Sequence, residues 1–156
     1  MTSMRKLLVT FALLAAGCAQ VATEPDLAVI TVIGTNDVHG ELVAQSDRGG
    51  ITTFSGYVSA VRQARAKDGG LLLVDAGDMW QGTLESNLVE GASMVDAYNA
   101  LGVAAAAIGN HEFDFGPDRL VEFIEGFGNG DDTFLSANLD FSAEAGLQAL
   151  VDAGTI

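Results

Sequence analysis

The chain alternates between short apolar runs and segments in which apolar residues recur at helical spacing. Residues 27–34 form an apolar, β-branched run that stops at Thr35, which predicts a buried strand. Apolar residues then recur every three or four positions, which predicts a helix ended by the turn glycines 69–70. The residues with this spacing are Ile51, Phe54, Val58 and Val61.

The same alternation continues along the chain. Residues 71–74 predict a second buried strand, and the next helix stops near Gly102. An alanine-rich third strand covers residues 103–108, a further helix has Pro117 in its first turn, and residues 133–137 predict a fourth strand. The apolar faces of these two helices comprise Met94, Val95, Tyr98 and Leu101, and Leu120, Val121, Ile124 and Phe127. The pattern predicts an α/β fold with right-handed crossovers.

The N-terminal segment has the organisation of a secretion signal. Arg5 and Lys6 precede about ten apolar residues, too few to span a bilayer, and small residues follow up to Cys18. Residues 14–18 are similar to a bacterial lipobox, in which the cysteine is lipidated; ordinary signal cleavage is the alternative. We therefore predict a signal peptide at 1–18, a tether at 19–26 and a domain at 27–156.

Polar clusters directly follow the first three predicted strands. Because the carboxyl ends of such strands meet at one edge of a sheet, we expect these side chains to converge there. Oxygen and imidazole ligands without thiolate suit Mn²⁺, Zn²⁺, Fe or Mg²⁺, and one carboxylate can bridge two such ions. The clusters hold Asp37 and His39, then Asp78, then Asn110 and His111, with Asp114 shortly after.

Each cluster has a simpler explanation when it is taken alone. An aspartate after a strand can cap a helix, a histidine can lie on the surface, and Gly77-Asp78 is a common turn. All three clusters at successive strand ends, in this order, favour a site. The acidic pair 131–132 is interpreted as a solvated loop.

Three of these segments and one that follows them are similar to known motifs. They resemble the motifs of the 5′-nucleotidase branch of the calcineurin-like metallophosphoesterases, from about Val29 to Leu139. The resemblance implies the N-terminal portion of an α/β/β/α sandwich, with the site at the carboxyl ends of the strands. The segments are 35–40 (TNDVHG), 77–82 (GDMWQG), 109–114 (GNHEFD) and 136–139 (SANL).

The resemblance also implies a role for each site residue. Asp37 and His39 would bind a first metal ion, Asp78 would bridge both ions, and Asn110 would bind the second. His111 would contact the phosphate rather than a metal, oriented by Asp114. The family uses two divalent ions, and these ligands do not distinguish Mn, Zn, Fe, Mg or Co.

Three further residues are weaker candidates. Trp80 could stack on a nucleotide base, but buried packing beside the site is the favoured interpretation. Glu112 is expected to support its loop rather than bind metal. Asn138 could touch substrate or close a turn, and we favour the turn.

The function implied by the resemblance is removal of phosphate from nucleotides by a hydroxide that two metal ions activate. Related enzymes hydrolyse 2′,3′-cyclic nucleotides or nucleotide sugars, and the motifs present here do not separate these substrates. The partner would be a small phosphate ester. The chain has 21 acidic and 7 basic residues, and this excess of negative charge should repel nucleic acid. For the same reason, cations would be necessary to hold a phosphate group. The location would be the periplasm or cell envelope of a bacterium, with a membrane anchor at Cys18 if it is lipidated.

Two histidines are too few for the whole metal site of this family, which has further histidine motifs downstream. We therefore expect the 156-residue chain to be a fragment of the domain with almost no activity, and with uncovered apolar edges that favour aggregation. The alternative is a non-catalytic lipoprotein module that keeps the fold without a complete site.

Overall fold

The computed structural model describes residues 27–128 and 133–156. The predicted signal peptide, the lipobox-like cysteine, the tether and the acidic loop at 131–132 all lie outside these residues. Within the part of the chain that is described, no helix combines the length and the apolar character that crossing a bilayer requires.

The described residues form one four-stranded parallel sheet in the order β1-β2-β3-β4. Its strands are β1 (Val29–Thr35), β2 (Gly69–Asp75), β3 (Ala105–Ala107) and β4 (Phe134–Leu135). Every neighbouring pair is parallel, so all four carboxyl ends lie at the same edge. The predicted α/β architecture is confirmed, and β3 and β4 are shorter than their apolar runs suggested.

In the described part of the chain, five α-helices and one short 3-10 turn connect and follow the strands. The 3-10 turn follows β3 and carries part of the third polar cluster. The helices are α1 (Gly50–Arg65), α2 (Leu84–Asn87), α3 (Ala92–Leu101), α4 (Pro117–Gly126) and α5 (Ala145–Ala153), and the 3-10 turn is His111–Phe113.

Helix ends follow the expected chemistry in two cases and not in a third. Gly102 closes α3 in the left-handed region (φ 68°), and Pro117 opens α4. The expectation that Gly69 and Gly70 end α1 was wrong, since that helix stops at Arg65. Gly69 instead begins β2, where a side chain would come within 1.5 Å of the carbonyl oxygen of Val29.

The helices cover one face of the sheet and create the core there. Leu73, Ala106 and Phe134 point to this side from three neighbouring strands and are almost fully buried. Trp80 is also buried, with its ring 4.7 Å from that of Phe123 in an edge-on arrangement. This contact confirms the packing interpretation of Trp80, because a buried indole cannot stack on a nucleotide base.

The opposite face of the sheet is apolar and open among the described residues. Ile30 and Val32 are 70% and 60% exposed, Leu72 is 47% exposed and Leu135 is 55% exposed. The register places Val32 beside Leu72, so these side chains form one continuous patch. The uncovered apolar surface is therefore a face of the sheet, whereas uncovered apolar edges were expected. A sandwich would cover such a face with a second layer.

Adjacent leucines on β2 should respond differently to the same truncation. Leu72→Ala removes an exposed side chain and should lower the free energy of unfolding by less than about 1 kcal/mol. Leu73→Ala leaves a cavity beneath the helices and should lower it by about 2–5 kcal/mol. Urea denaturation of the two variants measures both values, and equal losses would contradict the one-sided core.

Candidate metal centre

The loops that follow β1 and β2 are joined by backbone hydrogen bonds beyond the ends of the strands. The N–H of His39 donates to the carbonyl oxygen of Asp78 at 3.0 Å, and that of Gly40 donates to Met79 at 2.9 Å. The parallel ladder thus continues into the loops. Two of the predicted ligands are consequently fixed relative to each other by their own main chain.

His39, Asp78 and His111 are brought together at the carboxyl edge of the sheet. Each offers a ligand atom, and these three atoms all lie within 4.8 Å of one another. The two imidazole rings meet edge-on with their centroids 5.0 Å apart. The predicted convergence of three strand ends is present, and the grouping includes His111, for which the resemblance implies a contact with phosphate.

His39 is oriented by a hydrogen bond outside this group. Its Nδ1 lies 2.9 Å from the carbonyl oxygen of Gln81, and a carbonyl oxygen can only accept a hydrogen bond. Nδ1 therefore carries the hydrogen, and Nε2 keeps its lone pair for a ligand. That Nε2 lies 3.8 Å from Oδ1 of Asp37, so the Asp37 carboxylate adjoins the group from the exposed side.

His111 is held by the neighbouring carboxylate of Asp114. Its Nδ1 lies 2.6 Å from Oδ2 of Asp114, and this hydrogen bond raises the pKa of His111 above its ordinary value. The backbone N–H of His111 also donates to Oδ1 of Asp78 at 2.9 Å. The loop after β3 thereby orients the carboxylate that follows β2.

The remaining candidates lie at the rim. Asn110 directly precedes the 3-10 turn and is exposed beside the group of three. Asn138 lies in a bend after β4 and is exposed.

Two buried carboxylates support the loops from behind. Glu112 accepts three backbone N–H groups, which fits its expected role in the loop. Burial raises its pKa, and the three donors oppose that rise.

Asp75 is the second buried carboxylate, and it was not singled out from the sequence. The signal that could have identified it is an acidic residue directly after an apolar strand, since such a group needs partners once buried.

Asp75 joins the end of β1 to helix α3. Its Oδ2 accepts from the hydroxyl of Thr35 at 2.5 Å and from that of Tyr98 at 2.8 Å. Its Oδ1 accepts the N–H of Gly77 at 2.7 Å, which shapes the turn leading to Asp78. Burial, followed by the charge of Asp75, raises the pKa of Tyr98 far above its ordinary value.

Three of the predicted ligands have an unusual backbone. Asp37, His39 and Asp78 have φ values of 50°, 51° and 60°, and Glu90 is the other non-glycine residue with positive φ among the described residues. Residues with side chains rarely adopt this left-handed region, which costs about 1–2 kcal/mol per residue. Such strain is typical of functional sites and is retained where the surrounding structure fixes it.

The donor set fits a divalent cation. Two imidazoles and nearby carboxylates, without thiolate, are ligands of Zn²⁺ and Mn²⁺, and the carboxylates also suit Mg²⁺. One histidine is already in the tautomer that presents Nε2, and one carboxylate is oriented by a backbone N–H. The residues therefore match the chemistry that the sequence indicated.

Several known proteins are similar to this chain in sequence or in structure. No family model matches the chain. The chain is 40% identical over 100 residues to the snake venom 5′-nucleotidase of Naja atra, an alignment that covers 60% of this chain and 19% of the relative. The crystal structure of a 5′-nucleotidase precursor from Thermus thermophilus superposes with a TM-score of 0.65 and 36% identity. That superposition covers 78% of this chain and 24% of the other.

A calcineurin-like phosphoesterase from Bacillus subtilis is also similar in structure. Its TM-score is 0.54 at 26% identity, over 70% of this chain and 36% of that protein. The chain spans less than a fifth of the length of the curated relatives that it matches. The similarity thus extends over most of the described residues but over only a part of each relative.

Glycine should be tolerated better than alanine at Asp37. Both Asp37→Gly and Asp37→Ala remove the carboxylate, but only glycine adopts a φ of 50° without strain. We expect the glycine variant to be more stable than the alanine variant by about 1 kcal/mol. Thermal or urea denaturation measures the difference.

The matched control for this comparison is Asp96, an exposed residue inside α3. In a helix interior the order reverses, and Asp96→Gly should be less stable than Asp96→Ala by about 1 kcal/mol. An alanine preference at both positions would argue against the left-handed backbone at Asp37.

Proposed function

The chain belongs to the 5′-nucleotidase branch of the calcineurin-like phosphoesterases, and we propose that it supplies the N-terminal part of a two-metal site that removes phosphate from nucleotides. The observation that carries this proposal is the grouping of His39, Asp78 and His111 within 4.8 Å, on loops from three different strand ends. Nothing in the packing of the core requires polar residues to meet there.

We assign the ligands as the resemblance of the motifs implies. Asp37 and His39 would bind a first cation, because the Nε2 of His39 faces the Asp37 carboxylate. Asp78 would bridge to a second cation, with Asn110 as a further ligand of that ion. A carboxylate suits the bridging position since each of its two oxygens can face a different ion.

Bound divalent cations would attract the phosphoryl group and lower the pKa of a water molecule that attacks it. The charge balance of the chain makes this contribution necessary. With a net charge of −14, the protein alone would repel a phosphate ester. A nucleoside monophosphate is the proposed substrate, and the rest of a longer protein would supply the contacts to the base.

His111 would act on the phosphate itself. Its Nδ1–H donates to the Asp114 carboxylate, which fixes the orientation of the ring and raises its pKa, and the protonated ring carries a hydrogen on Nε2 that can be donated to a phosphate oxygen. Positioned donors of this kind stabilise negative charge that develops during transfer. Asp114 would orient the ring and would not contact substrate.

We further propose that the protein is exported and anchored through Cys18. The basic, apolar and small residues before this cysteine support the proposal, and the similarity to a snake venom enzyme supports export alone. Labelling with radioactive palmitate tests it, because incorporation should disappear in Cys18→Ala. If the unsubstituted protein takes up no label, the lipid anchor is contradicted, and export with ordinary signal cleavage is the remaining interpretation.

Metal binding is the direct test of the proposed site. We expect the chain to bind Mn²⁺ weakly, since part of the ligand set of the family lies downstream. His39→Ala and Asp78→Asn should each weaken binding by at least about tenfold, because each removes a ligand atom. Titration calorimetry or the electron paramagnetic resonance signal of free Mn²⁺ measures the affinity.

Asp96→Asn is the matched control, as it removes the same charge from an exposed position on α3. Its affinity for Mn²⁺ should stay within about twofold of the unsubstituted chain, since exposed charges contribute little. An equal loss of affinity in Asp96→Asn and Asp78→Asn would reduce the effect to net charge and contradict the site. Phosphate release from a nucleoside monophosphate at a rate close to that of a full-length relative would contradict the proposed partial site.

A further inference from the structure

Glu112 is buried at the centre of the three loops without belonging to the candidate ligands. Its side chain is 1% exposed, and its two carboxylate oxygens accept three backbone N–H groups. Oε2 accepts from Asp78 and Gly109, and Oε1 accepts from Met79, each at 2.7 Å. One side chain thus joins the loop after β2 to the loop after β3.

The segment that Glu112 holds is bonded on both of its sides. The carbonyl groups of Asp78 and Met79 accept N–H groups from His39 and Gly40, as described above. The N–H groups of the same two residues donate to Glu112. Beyond the end of β3, the described part of the chain has no neighbouring strand to accept these N–H groups. The Glu112 carboxylate accepts them instead.

The close approach of these loops depends on the absence of a side chain at Gly109. A Cβ atom there would lie 2.3 Å from Oδ1 of Asp78 and 2.8 Å from Oε2 of Glu112. Both distances are shorter than any normal contact. The space beside Gly109 is thus filled by the carboxylates of Asp78 and Glu112.

A carboxylate in this place is costly unless its hydrogen bonds are formed. Burial of an unpaired charged group is strongly unfavourable, whereas bonds from N–H groups to an ionised carboxylate are stronger than neutral ones. Loss of the acceptor would leave the buried N–H group of Met79 and the half-buried N–H groups of Asp78 and Gly109 without this partner. A buried donor left without a partner costs about 1–3 kcal/mol, so the loops would rearrange.

We propose that Glu112 is a positioning residue that sets the place of Asp78 relative to His39 and His111 before any cation binds. It touches neither the cation nor the substrate. It acts through the backbone of residues 78, 79 and 109. The inference rests on the proposed function in one respect, namely that these ligands bind a divalent cation.

The variant Glu112→Gln tests the proposal because it keeps the size of the side chain but replaces one acceptor by an NH₂ group. In the folded variant, amide hydrogen exchange at Asp78, Met79 or Gly109 should become faster by at least about tenfold. The affinity for Mn²⁺ should fall by about 10- to 100-fold, as is usual when the support of a metal ligand is removed. Exchange in the β1–β2 ladder should be unchanged.

The matched control is Asn99→Ala, which removes a similar side chain-to-backbone link far from the loops. Asn99 donates to the carbonyl oxygen of Gly126 and accepts the N–H of Gly128. This variant should lose stability but keep the affinity for Mn²⁺ and the slow exchange of the three amides. Circular dichroism identifies the temperature at which both variants are folded, and the comparison is made there.

The possible outcomes separate the inference from the proposed function. A folded Glu112→Gln variant with the Mn²⁺ affinity of Asn99→Ala would overturn the positioning role. If Glu112→Gln does not fold, hydrogen exchange is measured at the same three amides of the unsubstituted chain. Exchange there as fast as in exposed loops would also overturn the positioning role. An unsubstituted chain with protected amides and no affinity for Mn²⁺ would contradict the proposed metal site, and the positioning role with it, while the hydrogen-bonded link would stand.

Discussion

The site depends on one main-chain segment, Asp78 and Met79, that is hydrogen-bonded to the loops on both sides of it. Its carbonyl groups accept from the loop after β1, and its N–H groups donate to Glu112 in the loop after β3. The candidate ligands come from all three loops, so their mutual distances follow from these bonds. The sheet brings the loops to one edge, but the hydrogen bonds beyond the strands set the geometry there.

The loops are specified by backbone chemistry rather than by side-chain packing. The main chains of Gly77 and Gly109 touch, and a Cβ on Gly77 would lie 2.7 Å from the nitrogen of Gly109. The core beneath the helices is different, because Trp80 and its aromatic neighbours fill it by shape. A substitution in the core therefore disturbs packing. A substitution at the site instead disturbs hydrogen bonds and φ angles.

Much of this arrangement could be predicted from the sequence, for identifiable physical reasons. Strands β1 and β2 are continuous apolar runs, and the polar clusters follow them directly, so convergence at one edge was predictable. Helix α2 was missed because four residues show no periodicity, and no helix was predicted after residue 137, where α5 lies. The link through Glu112 joins residues 33 or 34 positions apart, a pairing that neither spacing nor composition reveals.

The fixed backbone of the three loops has a consequence for the speed of metal loading. A site that forms only after its loops have ordered would bind cations at the rate of that ordering. Here the main chain is already bonded, so the slow step would be the release of water by the ion itself. Mg²⁺ gives up its hydration shell reluctantly and would enter more slowly than Mn²⁺, a difference that stopped-flow mixing resolves.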